Sequence, residues 1–164
     1  MKKSNINHEI FMREAMSEAK LAAGKGEVPI GAVAVVDDPS TGSGQVIGRA
    51  HNVREATQNP LGHAELLLLQ QLSSSQQSWR LTDVTIYVTC EPCLMCAGAM
   101  LQARIPRLVY GCRDPKAGAC GSLYNVINDP RLNHRIEVTA DVLAKECGNL
   151  LSGFFKTLRQ SENI

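Results

Sequence analysis

The chain has 164 residues, of which 44% are hydrophobic and 20% charged, and its 17 basic and 16 acidic side chains give a formal net charge of +1. These proportions are typical of one ordinary folded domain and argue against a disordered chain, a collagen-like repeat or a two-domain enzyme. A chain of this length can bury a full core without disulfides, so we expect residues 1–164 to form a single domain.

No stretch of the sequence is apolar enough to cross a membrane. The longest nearly apolar stretch, Val28 to Val36, has nine residues and contains a proline and a glycine, whereas a spanning helix needs about 20 apolar residues. The amino terminus starts basic but turns polar where a signal peptide has its apolar core. We therefore expect a cytoplasmic protein, whose six cysteines are free thiols or metal ligands rather than disulfides.

Charge is distributed unevenly along the chain. Residues 1–100 carry 8 basic and 10 acidic side chains, whereas residues 101–164 carry 9 basic and 6 acidic ones. A nucleic-acid partner is therefore expected to contact the second part more than the first.

The hydrophobic pattern predicts alternating helices and strands. Apolar residues recur every three or four positions in the opening segment, which predicts an amphipathic helix closed by Gly24. Two strand-like runs then predict a hairpin with a long loop from Asp37 to Gly44, and Ser73 to Ser78 is predicted to be a surface loop. We predict helices at 8–23, 63–72, 93–103 and 141–159, and strands at 30–36, 45–51, 84–89, 107–111 and 135–139. This interleaving predicts an α/β domain with helices covering the sheet.

Two fragments at predicted helix starts carry metal-binding residue types. His63-Ala64-Glu65 opens one helix, and Pro92-Cys93-Leu94-Met95-Cys96 opens another. The amino terminus of a helix stabilises a thiolate, and two cysteines with one histidine can bind one zinc ion. Three protein ligands leave a fourth position open for water, as in catalytic zinc sites. Glu65 is the candidate proton carrier, because a carboxylate that is not a ligand can move the proton of that water.

Other interpretations of these residues stay open. A Cys-x-x-Cys pair is also typical of redox and structural sites, although a redox motif gives no reason for His63 and Glu65. A structural zinc site needs a fourth protein ligand. The candidates for it are His51, Cys90, Cys112, Cys120 and Cys147. If these four cysteines bind no metal, we expect buried, unreactive thiols.

The two fragments together resemble the signature of the cytidine and deoxycytidylate deaminase superfamily. Further stretches resemble one family within it, the bacterial tRNA-specific adenosine deaminases; they lie at 27–33, 91–100, 111–119, 121–123 and 133–135. The resemblance spans about residues 9 to 159. It implies a cytidine-deaminase-like three-layer α/β/α fold, with a five-stranded mixed sheet and helices on both faces. A zinc core would occupy about 9–120 and a carboxyl-terminal strand and helix region about 121–160.

The resemblance also implies a reaction, the zinc-dependent hydrolytic deamination of adenosine to inosine at the wobble position of an arginine tRNA. His63, Cys93 and Cys96 would hold one zinc ion per subunit. Hydroxide would attack C6 of adenine while Glu65 protonates N1, and ammonia would leave.

The same resemblance implies contacts with the substrate. Asn52 and the backbone of Ala64 would contact the base, while Asp114, Lys116 and Phe155 would contact the tRNA anticodon stem-loop. The family also implies a homodimer in which both subunits form the anticodon site. Simpler interpretations of these residues are a turn at Asn52, a solvated Asp-Pro turn at Asp114, and a core position for the neighbouring Phe154.

Two other functions stay open. A deaminase of a free base or nucleoside, of the guanine or cytidine type, would share the metal site but would not need the Asp114 to Lys116 loop or the aromatic and basic last helix. A zinc-bearing subunit without catalytic activity, serving in assembly or RNA binding, would have no use for Glu65.

Overall fold

Helices and strands alternate along most of the chain. The computed structural model describes residues 6–38, 40–41 and 43–162. The helices are α1 (His8–Gly24), α2 (Arg54–Thr57), α3 (Ala64–Gln76), α4 (Leu94–Gln102) and α5 (Ala144–Glu162), with a 3-10 turn at Val126–Asn128. The strands are β1 (Gly31–Asp38), β2 (Ser43–His51), β3 (Val84–Cys90), β4 (Arg107–Cys112) and β5 (Glu137–Thr139).

The five strands form one mixed sheet in the order β2-β1-β3-β4-β5. Strand β1 is antiparallel to both β2 and β3, whereas β3, β4 and β5 run parallel to one another. The carboxyl ends of β3 and β4 therefore lie at the same edge of the sheet, where ligand sites of α/β folds form. The segments that follow these two strands are placed side by side there.

Two apolar layers cover the two faces of the sheet. Side chains alternate between the faces of a strand, so Ala32 and Ala34 of β1 pack in one cluster and Val33 and Val35 in the other. Helices α3 and α4 contribute to the first cluster, while α1 and Cys147 of α5 contribute to the second. The predicted five-stranded mixed sheet with helices on both faces is confirmed.

The hairpin of β1 and β2 is tighter than predicted. Asp37 pairs with Gly44 and Asp38 with Ser43, so β1 continues to Asp38 and β2 already begins at Ser43. The predicted loop from Asp37 to Gly44 was therefore too long. A hydrogen bond from the Ser40 N–H to Oδ1 of Asp38, 2.9 Å long, begins the turn.

Other boundaries also differ from the prediction, three of them for a visible physical reason. Ser73 to Gln76, predicted to be loop, continue α3, where the Ser75 hydroxyl bonds to the Leu72 carbonyl oxygen and so does not compete with the helix. Strand β5 begins later than predicted, because Ile136 N–H donates to Ile127 O instead of to β4. Helix α5 begins at Ala144 rather than 141, because Asp141 and Leu143 have φ of +65° and +52°, outside the helical region.

No helix in the described part of the chain combines the length and the apolar character that a membrane crossing requires. This finding agrees with the sequence, which contains no long apolar stretch.

Candidate active site

The three predicted metal ligands come together at the starts of two helices. His63 is the residue immediately before α3, and Cys93 immediately precedes α4, whose first turn contains Cys96. His63 Nδ1 lies 3.4 Å from the Cys96 sulfur and 3.7 Å from the Cys93 sulfur. All three ligand atoms lie within 4.8 Å of one another.

This spacing fits a tetrahedral zinc ion. Bonds of about 2.3 Å to sulfur and about 2.0 to 2.1 Å to nitrogen separate two ligands of one ion by about 3.6 Å. His51, one of the candidates for a fourth ligand, instead has Nδ1 2.8 Å from an oxygen of Glu18 and Nε2 3.3 Å from Nζ of Lys25. Within the described residues the group has three members, so a zinc ion held by them would have a fourth position for water.

The other four cysteines do not join this group. All six cysteines of the chain are free thiols. Cys90, Cys120 and Cys147 are buried as expected, whereas Cys112, the last residue of β4, is only half-buried.

The surroundings of the ligands favour charge separation between sulfur and imidazole. Hydrogen bonds from Cys96 and His63 lower the pKa of Cys93 to about 4. The hydrogen bond with Cys93 and burial raise the pKa of Cys96, and the hydrogen bond with Cys93 raises the pKa of His63. Cys93 is therefore the more acidic of the two thiols, and Cys96 must lose a proton before it can bind a metal ion.

Glu65 lies beside the metal group without belonging to it. Its side chain is buried, with 4% of its surface exposed, in the first turn of α3. Burial raises the pKa of Glu65, which is the direction required of a carboxyl group that carries protons near neutral pH.

A cavity of about 140 Å³ opens beside these residues. Its lining residues come from five segments, at 28–30, 52–54, 63–65, 90–93 and 114–117. Val28 and Ile30 form an apolar part of the wall. A small pocket with an apolar wall and a few polar groups is typical of small-molecule and cofactor sites.

Asn52 is buried in this pocket, and two neighbours use part of its side-chain amide. Its Nδ2 donates to Val28 O over 3.2 Å, and its Oδ1 accepts the Arg54 N–H over 3.1 Å. An amide has two N–H groups and two acceptor positions, so one of each remains for another partner. Asn52 therefore organises a turn, as the simpler interpretation expected, and also faces the pocket. Ala64 lines the pocket beside it.

Asp114 lines the pocket, whereas Lys116 and Phe155 do not. The Asp114 carboxylate accepts the N–H groups of Lys116 and Ala117, at 3.0 and 3.1 Å, as in a polar turn. Lys116 is exposed. Phe155 is 39% exposed on α5.

Phe154 does not occupy the core position that the simpler interpretation expected. It is half-buried and contacts the Phe155 ring edge-on, with ring centroids 5.5 Å apart. Cys147 is the buried residue of α5, and the later turns of the helix are mostly exposed.

Sequence reasoning missed the buried carboxylates that support the pocket walls. Glu27 accepts the N–H groups of Glu55 and Ala56, at 3.1 and 2.6 Å, and so caps the short helix α2, whose Arg54 lines the pocket. Glu91 accepts N–H groups from the loop after β4. The sequence did contain a signal for each of them, because Glu27 and Glu91 both lie close to a buried apolar strand. A carboxylate buried there needs hydrogen-bond donors.

Glu91 is held in its ionised form. Burial opposes its charge, but hydrogen bonds from Ser122, Asp114 and Cys120 outweigh burial and lower the pKa of Glu91.

Comparisons with known proteins agree with this geometry. A family model described as "MafB19-like deaminase" matches residues 6–159. The tRNA-specific adenosine deaminase of Bacillus subtilis (strain 168) is 47% identical over 154 residues, which cover 94% of this chain and 92% of that protein. The protein of the same name from Haemophilus influenzae is 44% identical over 156 residues, covering 95% of this chain and 87% of that protein.

Solved structures of deaminases also resemble this chain. One from a study of A-to-I editing by tRNA:A34 deaminases superposes with a TM-score of 0.79 and 37% identity, covering 87% of this chain and 99% of that one. A guanine deaminase from Nitrosomonas europaea has a TM-score of 0.73 but 21% identity, covering 89% of this chain and 83% of that one, so it shows the shared fold alone. On the family match and these identities, the chain belongs to the tRNA-specific adenosine deaminases.

Proposed function

We propose that this protein converts adenosine to inosine by hydrolysis at the wobble position of an arginine tRNA, with one zinc ion per subunit. The observation that carries the proposal is the group of His63, Cys93 and Cys96 with the buried carboxyl of Glu65, which is not part of that group, at the edge of a small pocket. A structural zinc site would need a fourth protein ligand and has no use for such a carboxyl.

His63, Cys93 and Cys96 hold the zinc ion. When bound, zinc lowers the pKa of a water ligand to about 7 and so supplies hydroxide at neutral pH. Deamination replaces the amino group at C6 of adenine by oxygen and releases ammonia, so protons must reach ring nitrogen N1 and then the departing amino nitrogen. Glu65 carries them, since its buried carboxyl lies in the same pocket and its raised pKa lets it hold a proton.

The pocket binds one adenine that has left its stack. The remaining N–H and acceptor position of Asn52 contact the base, and the N–H of Ala64 is unpaired within its helix because it lies in the first turn. The apolar side chains of Val28 and Ile30 lie against the ring. Enzymes that modify a base inside RNA must extrude it in this way.

The anticodon loop lies along the surface outside the pocket. Asp114 reaches from the pocket wall toward that surface, and the exposed Lys116 next to it attracts phosphate. On α5, the exposed ring of Phe155, with Lys156 and Arg159 nearby in sequence, offers a stacking surface with basic flanks. Specific RNA recognition uses unstacked bases in this manner. A tRNA substrate also implies a cytoplasmic location.

The active form is a homodimer. A largely apolar groove lies on the α3 and α4 side of the molecule. It is lined by apolar residues, among them Leu61, Leu66, Leu67, Trp79, Ala99 and Ala103, and by the uncharged polar residues Asn59, Gln70, Ser73, Ser74 and Gln102. Leu61 and Trp79 are 54% and 53% exposed. Exposed apolar patches of this kind mark interfaces, and a second copy is the occupant that we infer.

The test compares an arginine-tRNA anticodon stem-loop with free nucleosides. We expect the zinc-loaded protein to convert the wobble adenosine to inosine, which sequencing of the product reads as guanosine. Glu65→Gln keeps the size of the side chain but not its ability to carry protons, so activity should fall by about 10²- to 10⁴-fold.

Zinc content is the control for this test. Glu65→Gln should still bind one zinc ion per chain. Loss of ammonia from free nucleosides only would contradict the RNA substrate, and undiminished inosine formation by Glu65→Gln would contradict the mechanism. Four protein ligands on the metal would contradict both.

A further inference from the structure

The loop that follows β4, residues 113–122, folds around the buried carboxylate of Glu91. Oε2 of Glu91 accepts the Asp114 N–H over 3.0 Å, and Oε1 accepts the N–H groups of Cys120 and Ser122 over 3.0 and 2.9 Å. The Ser122 hydroxyl donates a fourth hydrogen bond to Oε2. Glu91 is 3% exposed, so water does not replace these contacts.

The backbone beside Glu91 ties the same loop to the start of α4. Ala119 N–H donates to Pro92 O over 2.9 Å, and Gly118 pairs with Cys93 as an isolated β-bridge. Gly118 has no room for a side chain, because an added Cβ would overlap the Glu91 carboxyl carbon and the Asp114 carbonyl oxygen. The loop therefore lies directly against Glu91.

This arrangement forms one wall of the pocket. Asp114 and Ala117 of the loop line it, next to Glu91 itself, and Lys116 is exposed on the same loop. The metal group and Glu65 are held by α3, α4 and the residue immediately before each helix, and loop 113–122 meets this group at the bridge between Gly118 and Cys93.

We propose that Glu91 is a positioning residue, which holds loop 113–122 in the conformation that binds the RNA around the target adenosine. This inference rests on the proposed function. A carboxylate is needed because its four partners are all donors. The amide of glutamine would turn an N–H₂ group toward at least one of them and leave buried N–H groups without an acceptor.

The experiment measures steady-state kinetics on the anticodon stem-loop and backbone hydrogen exchange in the free, zinc-loaded protein. Glu91→Gln should raise KM by about tenfold or more, leave kcat within about threefold because the metal group and Glu65 stay in place, and keep one zinc ion per chain. Amide exchange in 113–122 should become faster. Ser122→Ala, which removes one donor and leaves the acceptor, should have a much smaller effect.

Two glycine variants separate the position of the loop from the chemistry of Glu91. Gly118→Ala keeps the carboxylate but pushes the loop away from it, so it should reproduce the higher KM and the faster exchange. Gly24→Ala, at the end of α1 with no atom within 4 Å of the added Cβ, should change neither.

The outcomes distinguish this inference from the proposed function. Unchanged KM and exchange in Glu91→Gln would overturn the inference, and so would a fall in kcat at constant KM or a loss of zinc. If the wild-type protein forms no inosine, the proposed function fails, and unchanged exchange in Glu91→Gln would then still refute the role of Glu91 in holding the loop.

Discussion

At the residue scale, the surroundings of a side chain set its chemistry more than its type does. Cys93 and Cys96 lie within one helical turn, yet the pKa of Cys93 falls to about 4 because it accepts hydrogen bonds from Cys96 and His63. The pKa of Cys96 rises because it donates to Cys93 and is buried. Of the two sulfurs, that of Cys93 is therefore the more acidic, and that of Cys96 must lose a proton before it binds a metal ion.

Two buried tyrosines, Tyr87 and Tyr110, make the stability of the fold depend on pH in the alkaline range. Burial, with the nearby Asp37, raises the pKa of Tyr87 to about 12. Burial, with Glu91 nearby, raises the pKa of Tyr110 to about 12. The ordinary value, which applies in the unfolded chain, is about 10. The folded state binds the protons of these two phenols more tightly than the unfolded chain does. This difference in pKa stabilises the fold fully below about pH 10, and the stabilisation is lost as the pH rises to about 12.

We therefore predict that the free energy of unfolding, measured by urea denaturation, falls between about pH 10 and pH 12. Tyr110→Phe removes one of the two buried phenols and should make this fall less steep. Tyr124→Phe, at a site that is 50% exposed, is the control and should leave the slope unchanged. A slope that does not respond to Tyr110→Phe would contradict the prediction.

At the element scale, helix α1 lies so close to strand β1 that only glycine fits at the strand's first residue. A Cβ added to Gly31 would overlap the Ala15 carbonyl oxygen and the Ala19 nitrogen of α1. These are backbone atoms of a regular helix, so the helix as a whole would have to shift.

Gly31→Ala should lower the free energy of unfolding by about 3 kcal/mol, because overpacking a core contact with no flexible neighbour costs this much. Chemical denaturation measures the change. Gly24→Ala, where the added Cβ meets nothing within 4 Å, is the matched glycine variant and should be close to neutral. Equal stability of the two variants would rule out the close approach of α1 to β1.

The boundaries that the sequence pattern did not predict have local physical causes. Helix α1 follows from its apolar periodicity, whereas strands β1 and β3 follow from short runs rich in β-branched residues. Helix α3 follows from its strong helix formers, and α4 from the proline at its start. Helix α2 has four residues, too few to show a period. The positive φ at Asp141 and Leu143 delays α5, and no residue type at these positions announced it.

The sequence predicted the metal-binding group of the site but not the buried carboxylates that hold the pocket walls. The spacing of His63, Cys93 and Cys96 indicated the group because two helix starts carry it. Glu27 and Glu91 act through backbone N–H groups far along the chain, and which N–H group meets which carboxylate depends on tertiary structure.

At the scale of the whole molecule, the sheet order determines where the candidate metal group and the apolar groove lie. Strand β3 lies between β1 and β4, so the segments after β3 and β4 meet beside the α3 and α4 starts. The apolar groove lies on the same two helices and includes Leu66, Leu67 and Ala99. A second subunit bound there would therefore lie close to the active site.

Leu67→Glu should convert the dimer to a monomer, because it places a charge in an apolar interface. Sedimentation velocity on the zinc-loaded protein measures the mass. Leu21→Glu is the control, since Leu21 is 53% exposed on α1, against the other face of the sheet. A wild-type monomer, or a dimer that survives Leu67→Glu, would contradict the inferred interface.

Helix α5 has its buried anchor, Cys147, near its beginning, while the turns from Ser152 onward are mostly exposed. Substitutions in those later turns cost little packing energy, since surface changes are usually close to neutral. If these turns contact RNA as proposed, mutation can alter which RNA they recognise while the rest of the fold stays intact. Related enzymes could then acquire new RNA targets without first becoming more stable.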